Sequence, residues 1–446
     1  MPKRDREIGD KEPVSCDTKR VKAAKFDSTE LTHNDYAVGW ICALPKERAA
    51  AMAILDQIHK DLPKPEGDRN TYTLGSIGKH NVVIACLPKG RYGTNSAATV
   101  ATQMVHAFPS IKLGLMVGIG GGIPLKVRLG DVVISTPGDQ FPGVVQWDMG
   151  KAKEGGKFER TGALNSPPDA FLTALTAMEA EHEMIGSKVP EYLEELKQKW
   201  PKMAKQYLKS DSLKDILFRA DYSHISGIST DNYANPEIND GAENRAGSET
   251  EDEEEESCRF CDKAKIVKRN PRRKMRIHYG LIASGNKVIK DATFRDKLNE
   301  DLGGNILCVE MEAAGLMVNF PCVVIRGICD YTDSHKNKAW QKHAAAVAAA
   351  VAKELLGHVQ PSDVEREHTV IDILDETKQI KQGIEEVHQQ VVDGFVRTKA
   401  GLDNIWGEQE LQKKKTSFWI GSLQSTLPPS RMITLQDASW GLPNGC

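Results

Sequence analysis

The strongest constraint on this chain is an alternation. From Asn34 onward, short β-branched or apolar runs recur as YAVGWICAL, NVVIACLP, IKLGLMVGIG and DVVIST, each separated from the next by a polar or helical stretch. Such runs suit strands buried within a sheet, and the intervals between them are long enough to carry helices that cover it. PKERAAAMAILDQI and TNSAATVATQMVHAF predict helices after the first two runs. FLTALTAMEAEHEMI and VPEYLEELKQKW, with apolar residues at three-to-four spacing, predict two more. The pattern resumes with HYGLIASG, a helix over DATFRDKLNEDL, the runs ILCVEMEAAG and CVVIRGICD, and an alanine-rich helix in AWQKHAAAVAAAVAKELL. The expectation is one α/β domain over residues 34–356.

At 446 residues the chain exceeds a single ordinary core, so the domain should carry appendages. Residues 1–33 are charged and aperiodic and read as a disordered leader. Within the domain, residues 237–276 read as a charged insertion, with seven acids in the eight residues from Glu249 and eight basic residues over 263–276. Blocks of this kind bury too little apolar surface to offset the entropy of ordering, so the insertion is expected to be mobile. Residues 357–415 read as a helical, coiled-coil-like linker with a stripe at Val370, Ile373, Thr377, Ile380, Ile384, Val387 and Val391, and residues 416–446 as an irregular tail.

The net charge of −3 gives no reason to expect nucleic acid as a partner. The nine cysteines form no regular framework, and the N-terminal segment has no apolar stretch. No run of eighteen apolar residues implies a membrane partner. We therefore expect reduced thiols and a cytoplasmic protein, with Lys19, Arg20 and Lys22 as a candidate nuclear address. Cys258 and Cys261, in CRFC, supply half of a zinc motif, but no second CxxC or HxxxH follows, and no metal is expected.

Carboxylates stand next to strand ends, where open α/β sheets commonly bind ligands. Glu310 and Glu312 flank Met311, and in CVVIRGICDYTD Arg326 and Asp330 lie at and just beyond another strand. Each alone has a structural explanation, since a Glu opening a helix, or an Asp after a strand, satisfies free amide groups. VEMEAAG followed by RGICDYTD, however, resembles the signature pair of the nucleoside phosphorylase and methylthioadenosine/adenosylhomocysteine nucleosidase superfamily, in particular its purine and uridine phosphorylase branch. VGIGGGIP with GDVVIST, and DYAVGWICALPKERAA, are similar to that family's central strand with its glycine turn and to its opening strand and loop. The motifs occur in the family's order over about three quarters of the chain.

The resemblance implies a three-layer α/β/α nucleoside-phosphorylase-like fold with a central mixed sheet, followed here by a C-terminal helical extension. It also implies roles. Glu312 resembles the carboxylate that accepts the ribose 2′ and 3′ hydroxyls. Met311 resembles the residue packed beneath the sugar, and Asp330 the acid that protonates or hydrogen-bonds purine N7, which turns a poor leaving group into a neutral base. Gly120 and Gly121 belong to a close-approach turn beside the substrate. Gly93 and Arg91, in LPKGRYGTNSAA, could present amide groups and charge to an anion or to the attacking water. Val288 would lie near the purine or, equally, in the core. Glu310 reads as packing or capping and Asp333 as a turn residue.

Where phosphorylases of this family carry a GDPxR-like phosphate grip, this chain reads CALPKERAA. Glu47 there resembles the nucleosidases' water-activating glutamate, with Arg326 resembling the arginine that positions the nucleophile. A carboxylate repels phosphate and can take a proton from water, which favours hydrolysis. The alternatives are phosphorolysis by a purine nucleoside phosphorylase, which Arg48 could serve, and a non-catalytic nucleoside-sensing module. Similar domains open fungal NACHT, ankyrin or tetratricopeptide proteins, and this chain has neither a Walker A motif nor repeats. The expected partners are a purine nucleoside or nucleotide and a second copy of the chain, with no cofactor and with phosphate as co-substrate only in phosphorolysis.

Overall fold

A computed structural model describes residues 31–225, 258–271, 274–336 and 338–402. In chain order the elements begin with β1 (Val38–Cys42), α1 (Pro45–Ile54), β2 (Gln57–Ile58), β3 (Tyr72–Ile77), β4 (His80–Cys86), α2 (Thr94–Ala107), β5 (Leu113–Gly122) and β6 (Val132–Ser135). They continue with β7 (Val144–Gln146), β8 (Gly150–Lys153), β9 (Lys157–Arg160), α3 (Asp169–Ile185), α4 (Val189–Lys199) and α5 (Pro201–Tyr207). After the insertion come β10 (Ile277–Ser284), α6 (Ala292–Asp301), β11 (Ile306–Glu310), α7 (Ala313–Leu316), β12 (Cys322–Asp330), α8 (Gln341–His358), α9 (Pro361–Arg366) and α10 (Val370–Leu402).

The apolar runs become the middle of a mixed sheet, ordered β11-β10-β6-β12-β5-β1-β4-β3-β2. β1, β4, β5 and β12 run parallel, whereas β6 lies antiparallel to β12 and β3 to β4. All nine residues of β12 are buried, as expected of a strand covered on both faces. β5 is long enough to reach past β12 and pair antiparallel with β11, Cys308 opposite Gly122 and Val309 opposite Gly121. The sheet therefore curls on itself at the glycine run. Helices α1, α3, α4 and α5 gather around α8 on one face, and α2 and α7 cover the other.

Alanine is what lets α8 sit at the centre of its layer. Every residue from His343 to Leu356 is buried, so this helix has no solvent face, and small side chains allow the sheet and the outer helices to approach it from all sides.

The flanking segments differ in part from the expectation. Most of the leader lies outside the described residues, but Thr32 already bonds Asp35, and His33 packs on Phe108 with ring centroids 5.1 Å apart. The acidic half of the insertion and the tail beyond residue 402 also lie outside them. The basic half, expected to be solvated, instead packs on the domain. Phe218 bridges to Ile266, Val267 N donates to Leu217 O at 2.8 Å, and Arg269 pairs with Asp215 at 2.9 Å and donates to the Tyr331 hydroxyl at 2.7 Å. Its apolar residues and side-chain partners outweigh its net charge.

The linker stripe divides. Val370 is fully buried and donates its N–H to Ile111 O at 2.9 Å, and Ile371 and Leu374 pack beside it, whereas Ile380, Ile384 and Val387 are exposed. No helix among the described residues is long and apolar enough to cross a membrane.

The packing of α8 can be tested directly. Ala348→Leu inserts a branched side chain where no free volume exists and should cost about 2 kcal/mol of stability, read as a lower denaturant midpoint at unchanged slope. An unchanged midpoint would mean that α8 is not packed on all sides.

Candidate active site

The site forms where β5, β11 and β12 meet the first turns of α1 and α2. Pro45 starts α1 and puts Glu47 in its first turn, where a carboxylate satisfies free amides. Glu47 Oε2 accepts from Ala43 N at 2.7 Å and Leu44 N at 2.9 Å, while Oε1 reaches across to accept from Ile119 N of β5 at 2.8 Å. Capping its own helix and facing the site are thus one arrangement. Glu47 is only 3% exposed.

Arg326 lies beside Gly118 in the β12–β5 register and is fully buried. A side chain at Gly118 would overlap both Glu47 Oε1 and Arg326 Nη1, so the missing Cβ is what lets these two groups meet. Arg326 Nη2 pairs with Glu310 and lies 3.7 Å from Glu312. Glu310 also accepts from Glu312 N and Ala313 N, both at 3.1 Å, which caps α7 as expected and makes it the arginine's counter-ion as well. Glu312 Oε1 in turn accepts from Gly93 N at 3.4 Å. Gly93 precedes α2 with φ of +92°, a conformation that favours glycine.

Three buried carboxylates surround one fully buried guanidinium. Burial pushes the Glu312 pKa up to about 7, with the charge of Glu310 adding to it and Arg326 opposing it. Burial likewise raises Glu47, against Arg326 and the three amides. Burial opposes the charge on Arg326, but Glu310, Glu312 and Glu47 together hold its pKa above the ordinary value.

Asp330 ends β12, beyond an irregularity that aligns it with Gly121, and is buried. Its Oδ1 accepts from Thr332 N at 2.9 Å, and its Oδ2 pairs with Lys336 Nζ at 3.1 Å and accepts from Cys329 Sγ at 3.2 Å. The Cys329 thiol is buried beside Asp330. Its pKa is raised by burial first and then by Asp330, with Glu47 adding to the same effect, so both carboxylates bear on one group.

The structure thus joins Arg326, Glu310, Glu312 and Gly93 in one network of ion pairs and hydrogen bonds, with Glu47 set beside Arg326 across Gly118 and Asp330 further along β12 beside Gly121. Gly120 and Gly121 lie between β11 and β12, and Met311 is half-buried between the two glutamates. Arg91 is exposed on a turn closed by its N–H to Pro88 O, and Val288 is 54% exposed, which removes the core reading and puts both outside the network.

Sequence reasoning missed the ionic role of Glu310 and the partner Lys336. It also missed Asn286, whose Oδ1 accepts from Thr94 N and Thr94 Oγ1 at 2.9 and 3.0 Å while its own N–H donates to Asp148 at 2.7 Å. The SGN that follows HYGLIA was the available signal for Asn286.

A pH experiment reads the cost of the buried network. Unfolded, the Glu312 carboxyl titrates near 4.5, and folded near 7, so between these values the folded chain binds the extra proton. That contribution to stability is fully present below about 4.5 and is lost as pH rises through about 7, a loss of roughly 3 kcal/mol. Glu312→Gln removes the titration. Its melting temperature relative to the parent should therefore rise between pH 5 and pH 8; parallel curves would overturn the assignment.

Residues 37–189 match the model of the phosphorylase superfamily. Over 342 residues the chain is 45% identical to a nucleotide-binding leucine-rich repeat (NLR)-like protein of Hyaloscypha variabilis, covering 74% of this chain and 30% of that protein. It is 22% identical over 325 residues to the 5′-methylthioadenosine/S-adenosylhomocysteine nucleosidase of Mycobacterium bovis, covering 72% and 95% of the two chains. It is 23% identical over 347 residues to the ATP nucleosidase Cap17 of Escherichia coli, covering 75% and 54%. The chain thus spans about a third of the NLR-like relative and about half of Cap17. The phosphorylase-superfamily match over residues 37–189 thus falls on the first half of a domain whose signature motifs lie on one mixed sheet and around one buried site.

Proposed function

We propose that the domain hydrolyses the N-glycosidic bond of a purine nucleoside or nucleotide. The observation that carries this reading is Glu47, a buried carboxylate fixed by three amides beside Arg326, at the place where phosphorolysis would need a cationic grip. Arg48, the other candidate for that grip, is directed to Thr73 of β3, to which its Nη2 donates at 3.0 Å. The M. bovis and E. coli relatives carry the name nucleosidase, which supports the same chemistry.

In this reading, Glu312 accepts the ribose hydroxyls and, with Glu310, surrounds a sugar that becomes cationic as the bond to the purine breaks. Water adds its oxygen to C1′ and passes a proton to Glu47. The bonding pair of the glycosidic bond leaves with the purine, which is protonated at N7 by way of Asp330 and the Lys336 ammonium paired with it, and the proton taken up by Glu47 returns to solvent. The products are free base and free sugar. The 5′ substituent is the open variable: Arg91, exposed on the turn two residues before Gly93, suits phosphates, and one relative is named for ATP.

The second copy of the chain belongs to the same proposal. Ile380, Ile384 and Val387 form an exposed apolar stripe on α10 beyond its docked first turn. Ile384→Lys with Val387→Lys should lower the sedimenting mass without changing the melting temperature; equal masses would remove the stripe from the assembly.

The reaction is tested by incubating the full chain with adenosine, guanosine, inosine, uridine, methylthioadenosine and ATP, with and without phosphate. Free purine without added phosphate is expected. Glu47→Gln and Asp330→Asn should each lower turnover by about 10²–10⁴-fold with substrate binding largely kept, because both act mainly in the transition state. Strict dependence on phosphate would overturn hydrolysis. Saturable binding with no cleavage would make the domain a sensor, the reading that its likeness to an NLR-like protein favours.

A further inference from the structure

The segment that precedes the charged insertion meets the basic half of the insertion near the end of β12, which carries Asp330. Residues 217–219 and 265–267 pair through the Phe218–Ile266 bridge, with Arg219 N donating to Lys265 O at 3.0 Å and Val267 N to Leu217 O at 2.8 Å. Just beyond this ladder, His224 from one side meets Cys258 and Cys261 from the other. His224 Nδ1 lies 3.3 Å from Cys261 Sγ, and the imidazole nitrogen and both sulfurs lie within 4.8 Å of one another. Both thiols are free, with Cys261 buried and Cys258 and His224 half-buried.

We propose that His224 Nδ1, Cys258 Sγ and Cys261 Sγ hold a structural zinc ion that clips the base of the insertion. Zinc bonds of about 2.3 Å to sulfur and about 2.0 Å to nitrogen put tetrahedral ligand atoms roughly 3.5–3.8 Å apart, a spacing that this cluster can meet. Cys258 and Cys261 are presented by one tight turn, closed by Cys261 N donating to Cys258 O at 3.2 Å, and Asp262 caps the next turn by accepting from Ala264 N. Two thiolates and one imidazole are a donor set that suits zinc over hard cations such as calcium or magnesium. Among the described residues these three side chains make up the cluster, and the fourth position falls to water. This proposal departs from the expectation of no metal. The missing ligand precedes the CxxC by 34 residues, and a search for a partner downstream could not find it.

Such an ion would do more than close a loop. His224 N donates to Ser334 Oγ at 2.9 Å, and His335 stacks on Phe218 with ring centroids 4.0 Å apart. The clip therefore holds both sides of residues 226–257 against the segment from Tyr331 to Lys336, whose last residue pairs with Asp330. Closing residues 226–257 at their base removes freedom from the unfolded chain, as any cross-link over a long loop does.

The test uses the full chain purified without chelator and loaded with zinc. Mass spectrometry of the metal content should give one zinc per chain after gel filtration. Cobalt in its place should give the near-ultraviolet thiolate absorption and the strong visible bands of a tetrahedral site. The double variant Cys258→Ser/Cys261→Ser should lose the metal, and Cys86→Ser should keep it. Chelation should lower the melting temperature of the parent by about 5 °C or more. Less than about a tenth of an equivalent of zinc on the parent, an octahedral cobalt spectrum, or a Cys258–Cys261 disulfide would each overturn the proposal. The metal measurements on the parent chain decide the matter even where a variant fails to fold. They are independent of nucleoside cleavage.

Discussion

The placing of Arg326 at the bottom of the site is the constraint from which the rest follows. A guanidinium with no exposure must be surrounded by anions, and here Glu310, Glu312 and Glu47 supply them from β11, the segment just beyond it, and α1. These three elements are far apart in sequence, so the charge balance is also a tertiary lock. It carries an excess of acid over base, and burial first, then the charge of Glu310, raises the Glu312 carboxyl, while burial raises Glu47 against the arginine and its amides. A pocket lined in this way favours a ligand that gains positive charge.

The lock depends on backbone that approaches closely. β5 must run beside β12, accept β11 at its far end and leave space for two charged side chains. Any side chain at Gly118 would fill the space that Glu47 and Arg326 occupy. The glycine run in VGIGGGIP is therefore the feature that lets one strand serve both the sheet and the site.

Much of this was legible in the chain itself. The alternation of apolar runs and helical intervals fixed the layers because period and length are local properties. α2 and α4 match the predicted intervals to within one residue at each end. Glu47, Arg326, Glu312 and Asp330 were legible only as members of ordered motifs; singly, each had a capping or turn explanation, and the capping of α1 by Glu47 and of α7 by Glu310 is real. What stayed hidden depends on contacts distant in sequence. The pairing of Glu310 with Arg326, the return of the basic segment onto Leu217 and Phe218, and the meeting of His224 with the CxxC turn have no periodicity to announce them. Charge density alone misread residues 258–276, because it counts ionic groups and not the apolar residues between them.

The position of α2 has a consequence for the helices that follow the domain. Its first turn begins at Gly93, whose N–H meets Glu312, and just beyond its last turn Ile111 O receives the N–H of Val370, the first residue of α10. A helix of fourteen residues is a stiff rod about 20 Å long. The far end of that rod lies against the root of a helix 33 residues long, near 50 Å in length, so the residue that meets Glu312 and the start of the C-terminal helix are joined by one stiff element.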